Sequence, residues 1–203
     1  MKLLHTVNLF PVPLTLFDID ILEEEKEYLK TLPTGNDSPY LDNLATIDNT
    51  VLNKPQVSKL KKQLIDALNR YKKELLRCDD EIYITNSWVN FLPKFKSHAL
   101  HQHTNSFVSG VLYIDINSDH PFIKFENPAD LWTLNWKRNK FGVFNSLSHS
   151  ETIRTGMLML FPSKLWHSVD KNLAREPRIS LSFNTFLKGN IKSNDYVADL
   201  ELT

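Results

Sequence analysis

The chain has 203 residues, of which 41% are hydrophobic, and its 24 basic and 24 acidic residues cancel to no formal net charge. This length and hydrophobic content suffice for one sizeable core, so we expect a single domain over residues 1–203. The charge balance offers no long-range attraction to nucleic acid or to an anionic membrane, and no apolar run approaches the roughly 20 residues of a membrane span. With Cys78 as its single cysteine, the chain is predicted to be cytoplasmic.

The N-terminal region, residues 1–80, is predicted to be a helical support. Charged and apolar residues with candidate capping aspartates indicate a short helix over 18–32. Residues 33–54 are rich in turn-forming residue types and predict a loop. From Pro55 to Cys78 the apolar residues recur at intervals of three and four, as in an amphipathic helix.

Residues 81–190 consist of short β-branched and aromatic runs separated by turn residues, a pattern typical of strands. The predicted strands cover 81–92, 107–116, 122–126, 140–144, 151–155, 157–161 and 178–187. Seven or more short strands indicate a β-sandwich or barrel, with the helices packed on its outside. Residues 191–203 are predicted to be a C-terminal tail.

Three of the seven histidines stand within the six residues from His98 to His103. On a strand, side chains two residues apart point to the same face, so His101 and His103 could bind one metal ion. His98 has the opposite parity and points away in an extended chain, so it is predicted to lie behind the ligands or on the surface, unless a loop there breaks the alternation. His167 follows an apolar run and is the candidate third ligand, because three protein ligands leave open positions at a catalytic metal.

Residues 178–184 alternate, with Arg178, Ser180, Ser182 and Asn184 on one face and apolar side chains on the other. If this polar face lined the metal site, the guanidinium would be buried and would need an anionic partner. A carboxylate co-substrate held by Arg178 and Ser180 would meet that need. The alternative is a surface strand on which Arg178 pairs with Glu176.

An ordered set of motifs covers nearly the whole chain. The motifs are Ser87-Trp-Val-Asn90, His101-Gln-His103-Thr-Asn-Ser106, Ser109-Gly-Val-Leu-Tyr113, Phe125-Glu-Asn-Pro128, Gly156-Met-Leu-Met-Leu-Phe-Pro-Ser163, His167 and Arg178-Ile-Ser-Leu-Ser-Phe-Asn184. This set resembles the Fe(II)/2-oxoglutarate-dependent oxygenases, and most closely a small branch related to the prolyl-hydroxylase-like enzymes. The resemblance implies a mainly β fold with N-terminal helices, in which the strands form a double-stranded β-helix, or jelly roll.

The resemblance further implies that His101, His103 and His167 bind Fe(II). One position departs from the family pattern, because most of the superfamily has a carboxylate where this chain has His103. Asp115, Asp170 or Glu126 could supply the carboxylate instead, and Asp115 is preferred among them because it shares the parity of the histidine pair, so at this point the assignment stays open.

For the co-substrate, the resemblance implies that Arg178 and Ser180 hold the distal carboxylate of 2-oxoglutarate. Tyr113 and Asn90 are further candidates for binding it. The implied reaction is a dioxygenase hydroxylation of an unidentified small molecule or peptide, with release of succinate and CO2. No nucleic-acid or membrane partner is expected.

Substrate recognition is assigned to loops near the predicted site. Trp88, Asn105 and Trp166 are candidate pocket residues, and the segment 127–150, which carries Trp132, Trp136, Lys137 and Arg138, is a candidate lid. The segment 33–54 is a second candidate lid. Two other functions stay open: a cupin-type metalloenzyme, which leaves Arg178 without a role, and a non-catalytic binding protein that keeps the barrel.

Overall fold

A computed structural model describes residues 1–35, 44–117, 119–129, 134, 136–192 and 199–202. In this part of the chain, antiparallel strands form two sheets. The strands are β1 (Thr15–Asp18), β2 (Thr34–Gly35), β3 (Leu44–Thr46), β4 (Glu81–Leu92), β5 (His98–His101), β6 (Val108–Asp115), β7 (Ile123–Glu126), β8 (Ser148–Glu151), β9 (Met157–Pro162), β10 (His167–Val169), β11 (Arg178–Ile191) and β12 (Leu200–Leu202).

The larger sheet has the order β1-β9-β6-β11-β4-β3-β2, with β12 paired to β11, and the smaller sheet has the order β5-β10-β7-β8. An apolar core joins the two sheets. It includes Val111, Tyr113 and Phe161 from the larger sheet and Ile123 and Phe125 from the smaller one. Two antiparallel sheets packed in this way form the predicted jelly roll, so the predicted fold class is confirmed.

The helices cover the other face of the larger sheet. They are α1 (Glu23–Lys30) and α2 (Ser58–Tyr71), the latter continued by a π-helical turn over Lys72–Leu76 and preceded by two 3-10 turns, Val51–Asn53 and Pro55–Val57. Their apolar residues form a second core with Leu181 and Phe183 of β11. None of the helices in the described ranges is long and apolar enough to cross a membrane.

Gly110 on β6 allows this second core to pack closely. An added Cβ atom at Gly110 would lie 2.1 Å from the ring of Phe183, which faces it across the β6–β11 pairing. The aromatic ring therefore occupies the space that a side chain would need. This packing also fixes the orientation of β11: its apolar residues face the helices, and its alternate polar residues face the smaller sheet.

The strand predictions succeeded where the apolar pattern is long. Glu81–Leu92 is reproduced to the residue, and the strands predicted at 107–116, 122–126, 157–161 and 178–187 are confirmed with small changes at their ends. The strand predicted at 140–144 is wrong, because Gly142 instead accepts backbone hydrogen bonds from Asn145 and Ser146 in a turn. The strand predicted at 151–155 lies earlier, at β8.

The N-terminal region is less helical than predicted. The helix predicted over 18–32 is wrong at its start, because Thr15–Asp18 pairs with β9 as an edge strand and α1 begins only at Glu23. The predicted loop over 33–54 contributes β2 and β3 to the larger sheet, although residues 36–43 lie outside the described ranges. That residues 1–203 form one domain stays a prediction.

Candidate metal and co-substrate site

Three histidines meet at one end of the smaller sheet. The pairing of β5 with β10 sets His101 opposite His167, and the backbone N–H of His103 donates to the carbonyl of Ser163 at 2.9 Å. The potential ligand atoms of His101, His103 and His167 all lie within 4.8 Å of one another. The structure therefore brings together the three predicted metal ligands from two separate parts of the chain.

In each of the three rings, the Nδ1 atom contacts an oxygen that can only accept a hydrogen bond. His101 Nδ1 lies 2.8 Å from the carbonyl of Ala99, and His167 Nδ1 lies 2.9 Å from the carbonyl of Leu165. His103 Nδ1 lies 2.6 Å from Oδ1 of Asn184. Since Nδ1 must carry the proton, the lone pair of each neutral ring is on Nε2 and is available to a metal.

Burial keeps the three imidazoles neutral. It lowers the pKa of His167 to about 3 and the pKa of His103 to about 4, and it also lowers the pKa of His101. At neutral pH these side chains therefore do not need to lose a proton before they bind a cation. A neutral three-histidine cluster suits a divalent transition metal.

Sequence analysis missed Asn184 as a functional residue. Its Oδ1 accepts hydrogen bonds from both His103 and Ser109, the latter at 3.0 Å, and Ser109 also hydrogen-bonds the hydroxyl of Ser163 at 2.8 Å. Ser163 in turn lies 2.7 Å from the hydroxyl of Ser106. This network fixes the orientation of the His103 ring. The signal available in the sequence was the placement of Asn184 on the polar face of its strand.

The Asn184 contact predicts a measurable effect on metal binding. Asn184→Ala should weaken Fe(II) or Co(II) affinity by about 10- to 100-fold, the usual cost of losing a hydrogen bond behind a metal-ligating histidine. Isothermal titration calorimetry with Co(II) measures the change. Ser182→Ala, on the same face of β11, is the control and should retain full metal affinity. Equal affinity in Asn184→Ala would show that the contact does not orient the ligand.

Arg178 is 4% exposed, and its buried Nε atom has no hydrogen-bond partner among the described residues. Its Cζ atom lies 4.9 Å from the centre of the Tyr113 ring, a cation–π contact. Burial lowers the pKa of Arg178, but a guanidinium remains charged in proteins. The surface alternative, with Arg178 paired to Glu176, is wrong: Glu176 is exposed and lies 3.9 Å from Arg175.

One cavity contains both the histidines and Arg178. Its volume is about 30 Å³, and none of the residues that line it is acidic. The lining residues are Trp88, Asn90, His98, His101, His103, Val111, Ile123, His167, Val169, Arg178, Ser180 and Ser182. A buried cation and a metal site therefore share a cavity in which the described residues provide no negative charge.

Polar side chains form the floor of this cavity. Asn90 Nδ2 donates to Ser182 Oγ at 2.9 Å, and Trp88 Nε1 donates to Asn90 Oδ1 at 3.1 Å. Ser180 is 2% exposed and pairs with Asn90 in the sheet. The structure thus brings Asn90 and Ser180 to the same cavity as Arg178, and their roles in co-substrate binding stay predictions.

Tyr113 does not line the cavity, but it packs directly against Arg178. Its hydroxyl donates to Met159 Sδ at 3.7 Å, and burial raises its pKa, so the phenol stays protonated. A direct contact between Tyr113 and the co-substrate stays a prediction.

Several predicted residues lie away from the cavity. Asp115, the alternative ligand, forms an ion pair with Lys30 at 2.8 Å, so it is not part of the metal cluster. Asn105 is an exposed turn residue with φ of 53°, and Trp166 is 45% exposed. Trp132, a residue of the predicted lid, lies outside the described residues.

His98 corrects the parity argument. Sequence analysis placed its ring on the opposite side of the strand from His101, whereas the two rings stack with centroids 4.3 Å apart and His98 lines the cavity. The cause is an irregularity in the pairing of β5 with β10. His101 faces His167 and His98 faces Val169, so three residue steps on β5 match two on β10.

The arrangement matches a known protein family. The model of the family described as "Putative 2OG-Fe(II) oxygenase" matches residues 86–184. Residues 86–184 of this chain are therefore similar to the 2OG-Fe(II) oxygenase family. The match includes all three histidines of the candidate metal cluster and Arg178, so the candidate site lies within the matched region. A comparison with the sequences of curated proteins finds no significant match.

Solved structures share the fold of this chain at low sequence identity. HygX from Streptomyces hygroscopicus, with nickel, 2-oxoglutarate and hygromycin B bound, is 13% identical with a TM-score of 0.62, and the match covers 94% of this chain and 92% of that chain. A Pseudomonas putida prolyl-4-hydroxylase is 14% identical with a TM-score of 0.57, covering 85% and 92%.

A third solved structure is that of an enzyme with a different reaction, an epimerase. The epimerase SnoN from nogalamycin biosynthesis, described as α-ketoglutarate dependent, is 14% identical with a TM-score of 0.63, and the match covers 90% of this chain and 79% of that chain. At these identities the likeness shows the fold and leaves the reaction of this chain to be argued from its own residues.

Proposed function

We propose that this protein is an Fe(II)- and 2-oxoglutarate-dependent dioxygenase that hydroxylates a small molecule or peptide and releases succinate and CO2. The observation that carries the proposal is the buried guanidinium of Arg178, whose Nε has no hydrogen-bond partner and which shares a cavity with the three histidines. A ligand that satisfies both features must bind a metal at one end and present an anion at the other. 2-Oxoglutarate has this chemistry.

The charge of the cavity supports a dianionic ligand. Three neutral imidazoles leave the charge of a divalent metal uncompensated, and Arg178 adds a further positive charge. The lining residues supply no carboxylate to offset it. A doubly negative co-substrate would therefore neutralise the positive charge of the metal and Arg178. This neutralisation would be worth more here than in a site where a carboxylate ligand already offsets part of the metal's charge.

The chain's own residues have distinct tasks in this proposal. His101, His103 and His167 would hold Fe(II) through Nε2, while Arg178 and Ser180 would bind the distal carboxylate by charge-assisted hydrogen bonds. The buried walls formed by Val111, Ile123 and Val169 exclude water from the space between them. Bound iron and 2-oxoglutarate would supply the oxidation itself.

Hydroxylation is the proposed outcome because it needs no residue beyond the metal centre. The epimerase among the solved structures shows that this fold also supports other oxidative outcomes. The two remaining alternatives, a cupin-type metalloenzyme and a non-catalytic binding protein, leave the buried charge of Arg178 unexplained, which makes them weaker candidates.

The proposal is tested by adding Fe(II) and then 2-oxoglutarate to the protein without oxygen. We expect a metal-to-ligand charge-transfer band in the visible spectrum, because the oxo acid would bind the iron directly. Admission of oxygen should then release succinate, which can be quantified by chromatography. Stoichiometric iron binding with no band at saturating 2-oxoglutarate would refute the proposed function. A screen of amino acids, peptides and nucleobases for increased succinate release would then identify the substrate class.

A further inference from the structure

His98 has a position that none of the metal ligands has. Its ring stacks on that of His101 with an interplanar angle of 25°, yet the cluster of ligand atoms within 4.8 Å comprises His101, His103 and His167 only. His98 is therefore next to the metal site without belonging to it. The irregular β5–β10 pairing is what turns this ring into the cavity.

The ring nitrogens of His98 also lack the hydrogen bonds that orient the rings of the three candidate ligands in the described part of the chain. Each ring of the metal cluster has Nδ1 bound to a carbonyl or amide oxygen. Within the described ranges no residue hydrogen-bonds the ring of His98, whose recorded ring contact is the stack on His101. A neutral imidazole in this state presents one donor and one acceptor to whatever occupies the cavity.

The location of His98 indicates which ligand it contacts. β5 is an edge strand of the smaller sheet, and His98 lines the cavity that contains both the metal cluster and Arg178. A co-substrate held by the metal and by Arg178 has to extend through this cavity. Because the His98 ring stacks on a metal ligand, its nitrogens are near the metal-bound end of that molecule and Arg178 serves the far end.

We propose that His98 donates a hydrogen bond to the oxo-acid end of 2-oxoglutarate and so positions it on the metal. This inference rests on the proposed function. His98 would be a binding residue for the co-substrate in addition to the metal ligands, and it would be specific for the part of the molecule that Arg178 does not reach.

The test compares two ligands and two variants by anaerobic titration of the Fe(II) protein. 2-Oxobutanoate keeps the oxo-acid end of 2-oxoglutarate and lacks the distal carboxylate. His98→Phe keeps a ring to stack on His101 but removes the donor, so it should bind both oxo acids about 10-fold more weakly, the worth of a hydrogen bond to a charged group. Arg178→Met should weaken binding of 2-oxoglutarate alone.

The affinity of His98→Phe for Fe(II), measured separately by calorimetry, should be unchanged. His98→Gln restores a hydrogen-bond donor, so it should recover part of the oxo-acid affinity that His98→Phe loses. Equal affinity of His98→Phe and the unmodified protein for both oxo acids would overturn the inference and leave the proposed function standing. Loss of iron from His98→Phe would also overturn it, because His98 would then be a metal ligand. Failure of the unmodified protein to bind 2-oxoglutarate at its iron would refute the proposed function itself.

Discussion

Arg178→Met should leave metal binding intact and weaken 2-oxoglutarate binding by about 100-fold or more. Removing one partner of a buried, hydrogen-bonded charge pair costs about 2–5 kcal/mol, and each 1.4 kcal/mol is about tenfold in affinity. Methionine has a similar length and no charge, so it should fill the space beside Tyr113 without a cavity. Calorimetry with Co(II) and then with 2-oxoglutarate separates the two binding steps.

The same variant should fold at least as stably as the unmodified protein when no ligand is present. A buried cation without an anionic partner is costly, and replacing buried charges with apolar groups is often neutral or stabilising. The matched control is Arg175→Met, in which an arginine with a 93% exposed side chain is replaced. This control should bind both metal and co-substrate normally. Unchanged 2-oxoglutarate affinity in Arg178→Met would place the co-substrate elsewhere.

His167→Ala should reduce metal affinity by more than about 100-fold, because losing a direct ligand costs more than losing a group behind one. His167 is 3% exposed and is the most buried of the three candidate ligands, so water cannot readily replace its Nε2 atom. Titration with Co(II), followed by its visible absorption, measures both the affinity and the coordination geometry. We expect no tetrahedral or five-coordinate Co(II) spectrum from this variant.

The control for His167→Ala is His149→Ala, which removes a histidine of the same sheet with a 62% exposed side chain. It should retain full Co(II) affinity. The stability of each apoprotein, measured by denaturant unfolding, shows whether a loss of metal reflects the ligand or the fold. Normal Co(II) binding by a folded His167→Ala protein would exclude His167 as a ligand.

Sequence periodicity was sufficient where a strand is long and regular. The alternation along 178–184 correctly assigned Arg178, Ser180 and Asn184 to one face, because β11 keeps its pleat and packs Leu181 and Phe183 against the helices. Short polar strands escaped the same reasoning. β5 has four residues and β10 has three, and whether each forms a strand depends more on its pairing partner than on its own composition.

Long-range contacts account for the remaining errors. The helix predicted to begin at Asp18 begins at Glu23 because Thr15–Asp18 pairs with β9, more than a hundred residues away along the chain. The contact between Asn184 and His103 was not predicted because the two residues are 81 positions apart along the chain. His98 was misplaced because a parity argument assumes a regular strand, whereas the pairing of β5 with β10 contains an irregularity.

The sequence by itself determined the fold class, the residue types of the metal cluster and the polar face that carries Arg178, because these follow from local periodicity and from side-chain chemistry. Only the tertiary structure decided which ring nitrogen is available to the metal, that Asn184 contacts His103 and that His98 lines the cavity. It also showed that Arg178 is buried in a cavity whose described lining residues carry no negative charge. Hydrogen bonds and burial join residues distant along the chain, and no local pattern records them.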